Sequence, residues 1–493
     1  MDDRFDTEQE AAATLEANGP VLLIGPAGTG KTMIAMARAS WILKTWPWKR
    51  KKLLFLTHSR DGEKLAEAWF EEMLPDEQLD LVEVRTHQNF FFWAWVRGRK
   101  ITGVDYRERG HFAFGNRDHV MPGKRFLSVD VDPFFAESFE QTPRIGGLDE
   151  DQARQEYADV VLEWDVRTPE DYLACPRPAL FPALSDADKT ELWERLFAPA
   201  NELIHKAHRR RARASAAALN VLTQACRSPE KNPDKDFLQR EYGAVIVDDC
   251  QNLSPAEMRF LAALTGNTWE KPKGNLFLAG DPNQCLYPAM GQLRACGINV
   301  EGRTFTLHHN YRTTGVIQTF AESLLPDLRS DAVPRRPGGA PVRVQTFQDV
   351  NAMALVIAKT IKEWSRRDDY TLFAYALIVR DELDDALSAA LGNCNLPYAR
   401  WYSSKPEFVE VVPTSTHRWG EGIAGRFFEG VVIVLDGWLD PCDVCDGTAA
   451  EARRARARFA LKLLYTAIMR AASRVLIVSS DGTTIEKLKE EAQ

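Results

Sequence analysis

Val21-Leu22-Leu23-Ile24-Gly25-Pro26-Ala27-Gly28-Thr29-Gly30-Lys31-Thr32 is the stretch on which the reading of this chain turns. Four consecutive apolar residues predict a strand buried on both faces, and the apolar-periodic run from Met33 to Leu43 predicts a helix after it. Between them stands GxxxxGK[ST]. Its glycines let successive backbone N–H groups turn inward, and the start of the helix adds a positive end, so the loop is a cradle for phosphate. Gly25, Pro26, Ala27, Gly28, Thr29 and Gly30 are therefore the candidates to wrap a nucleotide's phosphates. Lys31 would meet the β- and γ-phosphates, and Thr32 would ligate Mg²⁺.

A site of this kind needs a second acidic strand end, because one hydroxyl cannot both hold a metal and orient water. Ala244-Val245-Ile246-Val247-Asp248-Asp249 supplies it. The apolar residues bury the strand, and Asp248 emerges at its carboxyl end, where ligands bind in open parallel sheets. Asp248 is the second metal candidate and Asp249 the residue to polarise water.

Working outward, buried-strand patterns at Leu53–Thr57, Leu81–Arg85, Ala244–Asp248 and Asn275–Gly280 surround the phosphate-loop strand and predict one parallel sheet. Residues from about Phe91 to Arg240 hold aromatics, prolines and mixed charge, with helical periodicity at Gln152–Trp164 and Leu192–His208, as expected of an inserted helical unit. A second strand series, Val342–Thr346, Tyr375–Val379, Val431–Leu435 and Val475–Val478, follows the Pro- and Gly-rich link Pro334–Pro341. The expected division is residues 1–92 with 238–325, residues 93–237, and residues 326–493.

The 493 residues are 45% hydrophobic and 27% charged, a globular balance that excludes a largely disordered chain. No apolar run approaches the roughly 18 residues of a membrane span. Formal charge is 62 minus 70, or −8, so any grip on a polyanion must be local. Basic runs at Lys49–Lys52, Arg97–Lys100, His208–Arg213 and Arg453–Arg458 offer such places, although each also reads as a solvated helix face. Eight scattered cysteines fit a reducing compartment, the cytoplasm. Cys442 and Cys445 form a CxxC pair without a second pair at metal-ligand spacing nearby, which argues against a zinc site.

The order of further motifs resembles the UvrD/Rep/PcrA family of superfamily 1 helicases. Phe5-Asp6-Thr7-Glu8-Gln9 is similar to the family's adenine-reading motif, with Gln9 at the base edge. LLFLTHSR (Leu53–Arg60) and Thr86-His87-Gln88-Asn89-Phe90 resemble two motifs that touch single-stranded DNA, implying contacts by Thr57, His58, Thr86 and His87. VIVDDCQ (Val245–Gln251) looks like the DExxQ box. LAGDPNQCLY (Leu278–Tyr287) is similar to the GDxxQ motif, in which Gln284 would couple the γ-phosphate to DNA. LHHNYRTT (Leu307–Thr314) implies that Tyr311 stacks on adenine and Arg312 reaches the γ-phosphate, and LLYTAIMRA (Leu463–Ala471) that Arg470 is a finger from the second core. Thr416 and His417 agree with the family's fifth motif.

The resemblance implies an α/β fold of two RecA-like parallel-sheet cores with an inserted, mainly helical subdomain. It also implies ATP and Mg²⁺ as cofactors, and ATP-driven movement on single-stranded DNA, 3′ to 5′, in repair or anti-phage defence. Physical reasoning agrees on one point: phosphoryl transfer rests on positioning and charge, so cations facing the phosphate loop from another surface, here Arg312 and Arg470, would tie cleft closure to the nucleotide.

Several residues depart from the family pattern. Asp249 stands where a glutamate is usual. The KGLEF core of the fifth motif is missing between Thr416 and Val434, leaving Glu421 or Glu429 as substitutes for its glutamate. Tyr287–Gly291 lacks the tryptophan on which a base stacks. Only about thirty residues separate Val379 from Thr414, too few for the family's second insertion, since chains below about 40 residues seldom bury a core of their own. These departures support an alternative of another class, a nucleotide-gated, DNA-sensing subunit that switches a partner such as a nuclease without processive unwinding.

Overall fold

The computed structural model describes residues 5–46, 51–102, 131–140, 142–177, 181, 184–207, 216–227, 241–284, 288–380, 385–400, 407–413, 427–438 and 449–492. Two six-stranded sheets organise them. The first contains β1 (Val21–Ile24), β2 (Lys52–Thr57), β3 (Val82–Thr86), β4 (Tyr242–Val247), β5 (Leu276–Gly280) and β6 (Thr304–Thr306), side by side as β3-β2-β4-β5-β1-β6. All of its pairings are parallel. Apolar runs suit this sheet because both faces are covered. Leu53 and Phe55 of β2 turn to a core shared with Ile34 and Met36 of the helix after the phosphate loop, while Leu54 and Leu56 turn to the opposite core.

That opposite core continues without a break into the helices between β3 and β4. Phe135, Tyr157 and Phe197 belong to the same buried cluster as Leu54 and Val245, and Tyr157 lies 5.6 Å from both other rings. The two helical periodicities are realised with a local irregularity. Glu150–Glu156 runs on into a π-helical turn at Tyr157–Leu162, and another such turn, Trp193–Phe197, precedes the helix Ala198–Ala207. Buried Glu156 beside the first turn is held by Arg177 at 2.7 Å and Tyr172 at 2.8 Å, which satisfies a carboxylate that burial alone would not tolerate.

A two-residue parallel pair, β7 (His309–Asn310) with β8 (Val333–Pro334), joins the sheets. The second sheet contains β9 (Arg343–Thr346), β10 (Tyr375–Val379), β11 (Tyr398–Arg400), β12 (Val409–Pro413), β13 (Phe428–Val434) and β14 (Ala471–Ser479), in the order β11-β12-β10-β13-β14-β9. It too is parallel throughout. The helix Val350–Asp368 covers one face through Ile357, Ile361 and Trp364, and Ala449–Ile468 covers the other through Leu461, Leu464 and Ile468. An α/β fold of parallel sheets flanked by helices is thus the observed class.

Differences from the sequence reading are local. The third strand is Val82–Thr86, one residue later than expected, and Asp248 stands just beyond β4 instead of closing it. Short strands β6, β11 and β12 escaped the pattern because each is only three to five residues long, and β12 carries the buried Glu410 and ends on Pro413. Much of the short stretch after Val379 is the helix Asp385–Asn393 with β11 and β12, which widen the second sheet. Thr416, His417, Glu421, Cys442, Cys445, Lys49, Arg50 and the run His208–Arg213 lie outside the described residues. Among those described, no helix is long and apolar enough to cross a membrane.

Candidate nucleotide site

The phosphate loop leaves the carboxyl end of β1, flanked by the ends of β5 and β6. Gly28 and Gly30 have φ of +87° and +88°, a region closed to most side chains. At Gly28 space is also lacking, since an added Cβ would stand 2.3 Å from Asn310 Oδ1 and 2.9 Å from Arg312 Cβ. The loop is fastened to the segment after β6 from above: the Tyr311 N–H donates to Gly28 O at 2.9 Å. Asn310 Oδ1 in turn accepts the N–H groups of Arg312 and Thr313, each at 3.1 Å.

Inside this frame the Lys31 ammonium donates to Gly25 O at 2.7 Å and Pro26 O at 2.9 Å. Burial lowers its pKa, opposed by the nearby charges of Asp281, Asp249 and Asp248. Gly30 caps the helix Lys31–Thr45 without a side-chain bond to its N–H groups, so those donors remain for an anion. Thr29 spends its hydroxyl on Pro26 O at 3.0 Å and thereby shapes the loop, while buried Ala27 packs with the apolar core of the second sheet.

The two residues expected to hold a metal are brought together. Thr32 Oγ1 donates to Asp248 Oδ2 at 2.7 Å across 216 residues of sequence. Among the described residues, the buried Asp248 Oδ1 has no hydrogen-bond partner, a costly state for a carboxylate oxygen that a hard cation would relieve. The donor set of one hydroxyl and one carboxylate therefore fits Mg²⁺. Asp248 and Asp249 titrate in opposite directions. Burial, then the neighbouring Asp249, raises Asp248 above the ordinary carboxylate range. Burial also acts on Asp249, but the charges of Arg470, His58 and Lys31 outweigh it and hold Asp249 low. Asp249 adopts φ +54° and accepts Gln251 Nε2 at 3.0 Å.

Both sheets contribute to what lies opposite. Gln284 Nε2 donates to Asp281 Oδ2 at 2.7 Å, and Arg470, at the end of the long helix on the second sheet, donates to Gln284 Oε1. Arg312 lies near Asp248, Asp249 and Arg470. Burial, reinforced by the like charge of Arg470, lowers its pKa to about 10. Lys31, Asp248, Asp249, Gln284, Arg312 and Arg470 are thus brought together.

Other expected residues are placed differently. Gln9 accepts the Asp6 N–H at 3.2 Å and donates to Thr29 O at 3.1 Å, so its amide fastens the helix Thr7–Thr14 to the phosphate loop. Tyr311 is 40% exposed, as a stacking ring requires, with its hydroxyl bonded to Asp6. Thr57, Thr86 and His87 are buried. The Thr86 hydroxyl caps the next helix by accepting the Asn89 N–H at 3.2 Å. His87 Nε2 lies 2.9 Å from Asp248 O, and burial and His58 depress its pKa to about 3, so the neutral ring donates. The His58 ring packs edge-on against it at 5.6 Å. His87 and His58 thus lie beside the two carboxylates, while Thr57 and Thr86 are buried in the elements next to them. Glu429 lies beside Tyr375 and Arg474, away from the cluster.

Three participants were missed. Asp281 sat unremarked inside the quoted GDPNQ. Asn310, fully buried, was hidden in NYR. Phe427, whose ring lies 4.1 Å from the Arg312 guanidinium, had no sequence signal, because an exposed aromatic before a strand is unremarkable.

A parallel sheet with a glycine loop, a buried lysine and a hydroxyl–carboxylate pair at its carboxyl edge defines a P-loop nucleotide-binding protein. Residues 8–290 match a family described as an AAA domain, one associated with superfamily 1 helicases of the UvrD/Rep type. The match covers more than half of the chain, which therefore belongs to that family. No curated protein matches it.

Proposed function

We infer that the protein is an ATP hydrolase that translocates on single-stranded DNA, with ATP held between cores formed by residues 1–92 with 238–325 and by residues 326–493. Residues 93–237 would form the inserted subdomain. The observation that carries this reading is the bond from Arg470 of the second sheet's helix to Gln284 at the edge of the first. It closes a buried cluster in which Lys31, Arg312 and Arg470 face Asp248, Asp249 and Asp281.

Carboxylates already face those cations, so an arriving triphosphate needs a divalent cation with it. Thr32 and Asp248 would hold that Mg²⁺, which neutralises charge on the phosphates. Asp249, kept ionised by its cationic neighbours, would orient water, while Arg312 and Arg470 would meet charge developing on the terminal phosphate. Gln284 touches both Asp281 and Arg470, so loss of phosphate would be felt across the cleft. The resemblance supports 3′ to 5′ movement and a role in repair or anti-phage defence, and the scattered cysteines support a cytoplasmic location.

Hydrolysis measured with and without single-stranded DNA tests this. Stimulation by DNA and a drop of at least about 100-fold in Lys31→Ala are expected, the scale of losing one charge-stabilising donor. Equal rates in the two proteins would refute it. One observation favours the second reading, a nucleotide-gated DNA sensor acting on a partner such as a nuclease: three of the four described residues expected to touch DNA are buried. Release of the labelled strand from a 3′-tailed duplex would decide for the motor.

A further inference from the structure

Arg312 is fixed along its backbone and loosely held at its tip. Its N–H donates to Asn310 Oδ1 at 3.1 Å, and its carbonyl accepts Arg336 Nη1 at 2.8 Å. Among the described residues the guanidinium makes no hydrogen bond and no ion pair. Its partner is the ring of Phe427, 4.1 Å away.

This choice of partner has a chemical consequence. A carboxylate would neutralise the arginine and occupy the donors a phosphate needs. An aromatic face attracts the cation through its quadrupole and accepts nothing from the fork, leaving all five N–H donors available. It also offsets the cost of placing Arg312 beside the like charge of Arg470.

Phe427 belongs to the second sheet's side of the cleft. The next residue, Phe428, opens β13, and its N–H donates to Arg470 O at 2.8 Å. One backbone bond therefore sets the ring that holds one arginine relative to the residue that supplies the other. Phe427 is 56% exposed, so core packing does not explain its size.

Resting on the hydrolytic reading above, we propose that Phe427 is a positioning residue: its ring carries the Arg312 guanidinium into register with Arg470, so that the two arginines meet the terminal phosphate together.

The test compares wild type, Lys31→Ala, Phe427→Leu and Phe427→Trp in steady-state ATP hydrolysis at saturating single-stranded DNA, with thermal melts as a check on folding. Leucine keeps apolar bulk and loses the π face; tryptophan keeps the face. Phe427→Leu is expected to lower kcat about tenfold, equivalent to about 1.4 kcal/mol in the barrier, with KM for ATP within about twofold and an unchanged melt. Phe427→Trp retains most of the wild-type kcat. A wild-type kcat in Phe427→Leu, or equal losses in both variants, overturns the proposal while leaving the hydrolytic reading intact. Hydrolysis by Lys31→Ala at the wild-type rate overturns that reading, and this proposal with it.

Discussion

Asp248 and Asp249 are adjacent and chemically identical, yet their environments separate them. Asp248 faces a hydroxyl and retains a proton more readily, whereas Asp249 faces Arg470, His58 and Lys31 and loses one. On the proposed reading, environment would divide metal holding from water orientation within one dipeptide. Gly28 shows a different residue-scale constraint, in which conformation and space coincide. Gly28→Ala would force an L-residue to φ +87° and drive its methyl into Asn310 and Arg312. The backbone term alone costs about 1 kcal/mol, so a lower melting temperature is expected, with nucleotide affinity reduced by about tenfold or more in equilibrium titration. Unaltered affinity would mean that the loop and Asn310 do not need each other.

At the scale of the element, the carboxyl end of β4 rests on a histidine, a mixed consequence of fold and site. His87 opens the helix His87–Thr102 directly after β3 and donates to Asp248 O from a buried, neutral ring. Its folded pKa is depressed from 6.5 to about 3, so the unfolded chain takes up the extra proton first. The resulting stability is fully present above about pH 6.5 and drains as pH falls from there toward 3. Asp248 works in the opposite sense over acidic pH, because its carboxyl is raised. Comparing wild type with His87→Asn removes the histidine and leaves the aspartate in both. Asparagine can still donate to the carbonyl and does not titrate, so its urea midpoint should fall less steeply between pH 6.5 and 4.5. Parallel curves would count against a neutral buried His87.

Across the whole molecule, two parallel sheets are joined by a short strand pair and by polar bonds that converge where the phosphates would lie. The link before β9 is strapped down: Gly315 N–H donates to Arg336 O at 2.7 Å, and Arg336 reaches Ser473 Oγ at 2.9 Å on the second sheet. Arg470→Gln keeps a donor for Gln284 and removes the charge beside Asp249 and Asp281. Hydrolysis should fall by about 10³-fold, the usual worth of a finger arginine, while nucleotide binding changes by only a few-fold. If single-turnover rates matched wild type, the second sheet would have no part in the chemistry.

The phosphate loop, the acidic strand end and most of the long strands were legible because local rules specify them: apolar runs demand double burial, and glycine spacing demands a cradle. Local pattern also gave the candidate arginines and Gln284 through the family resemblance. It could not say that Gln9 spends its amide on Thr29, that His87 supports Asp248, or that Phe427 holds Arg312, because these pairings join residues distant in the chain. Sequence alone determined which groups carry charge and which strands are buried. Only the tertiary structure decided which group faces which, since a pKa, a satisfied amide and an aimed guanidinium are properties of neighbours in space.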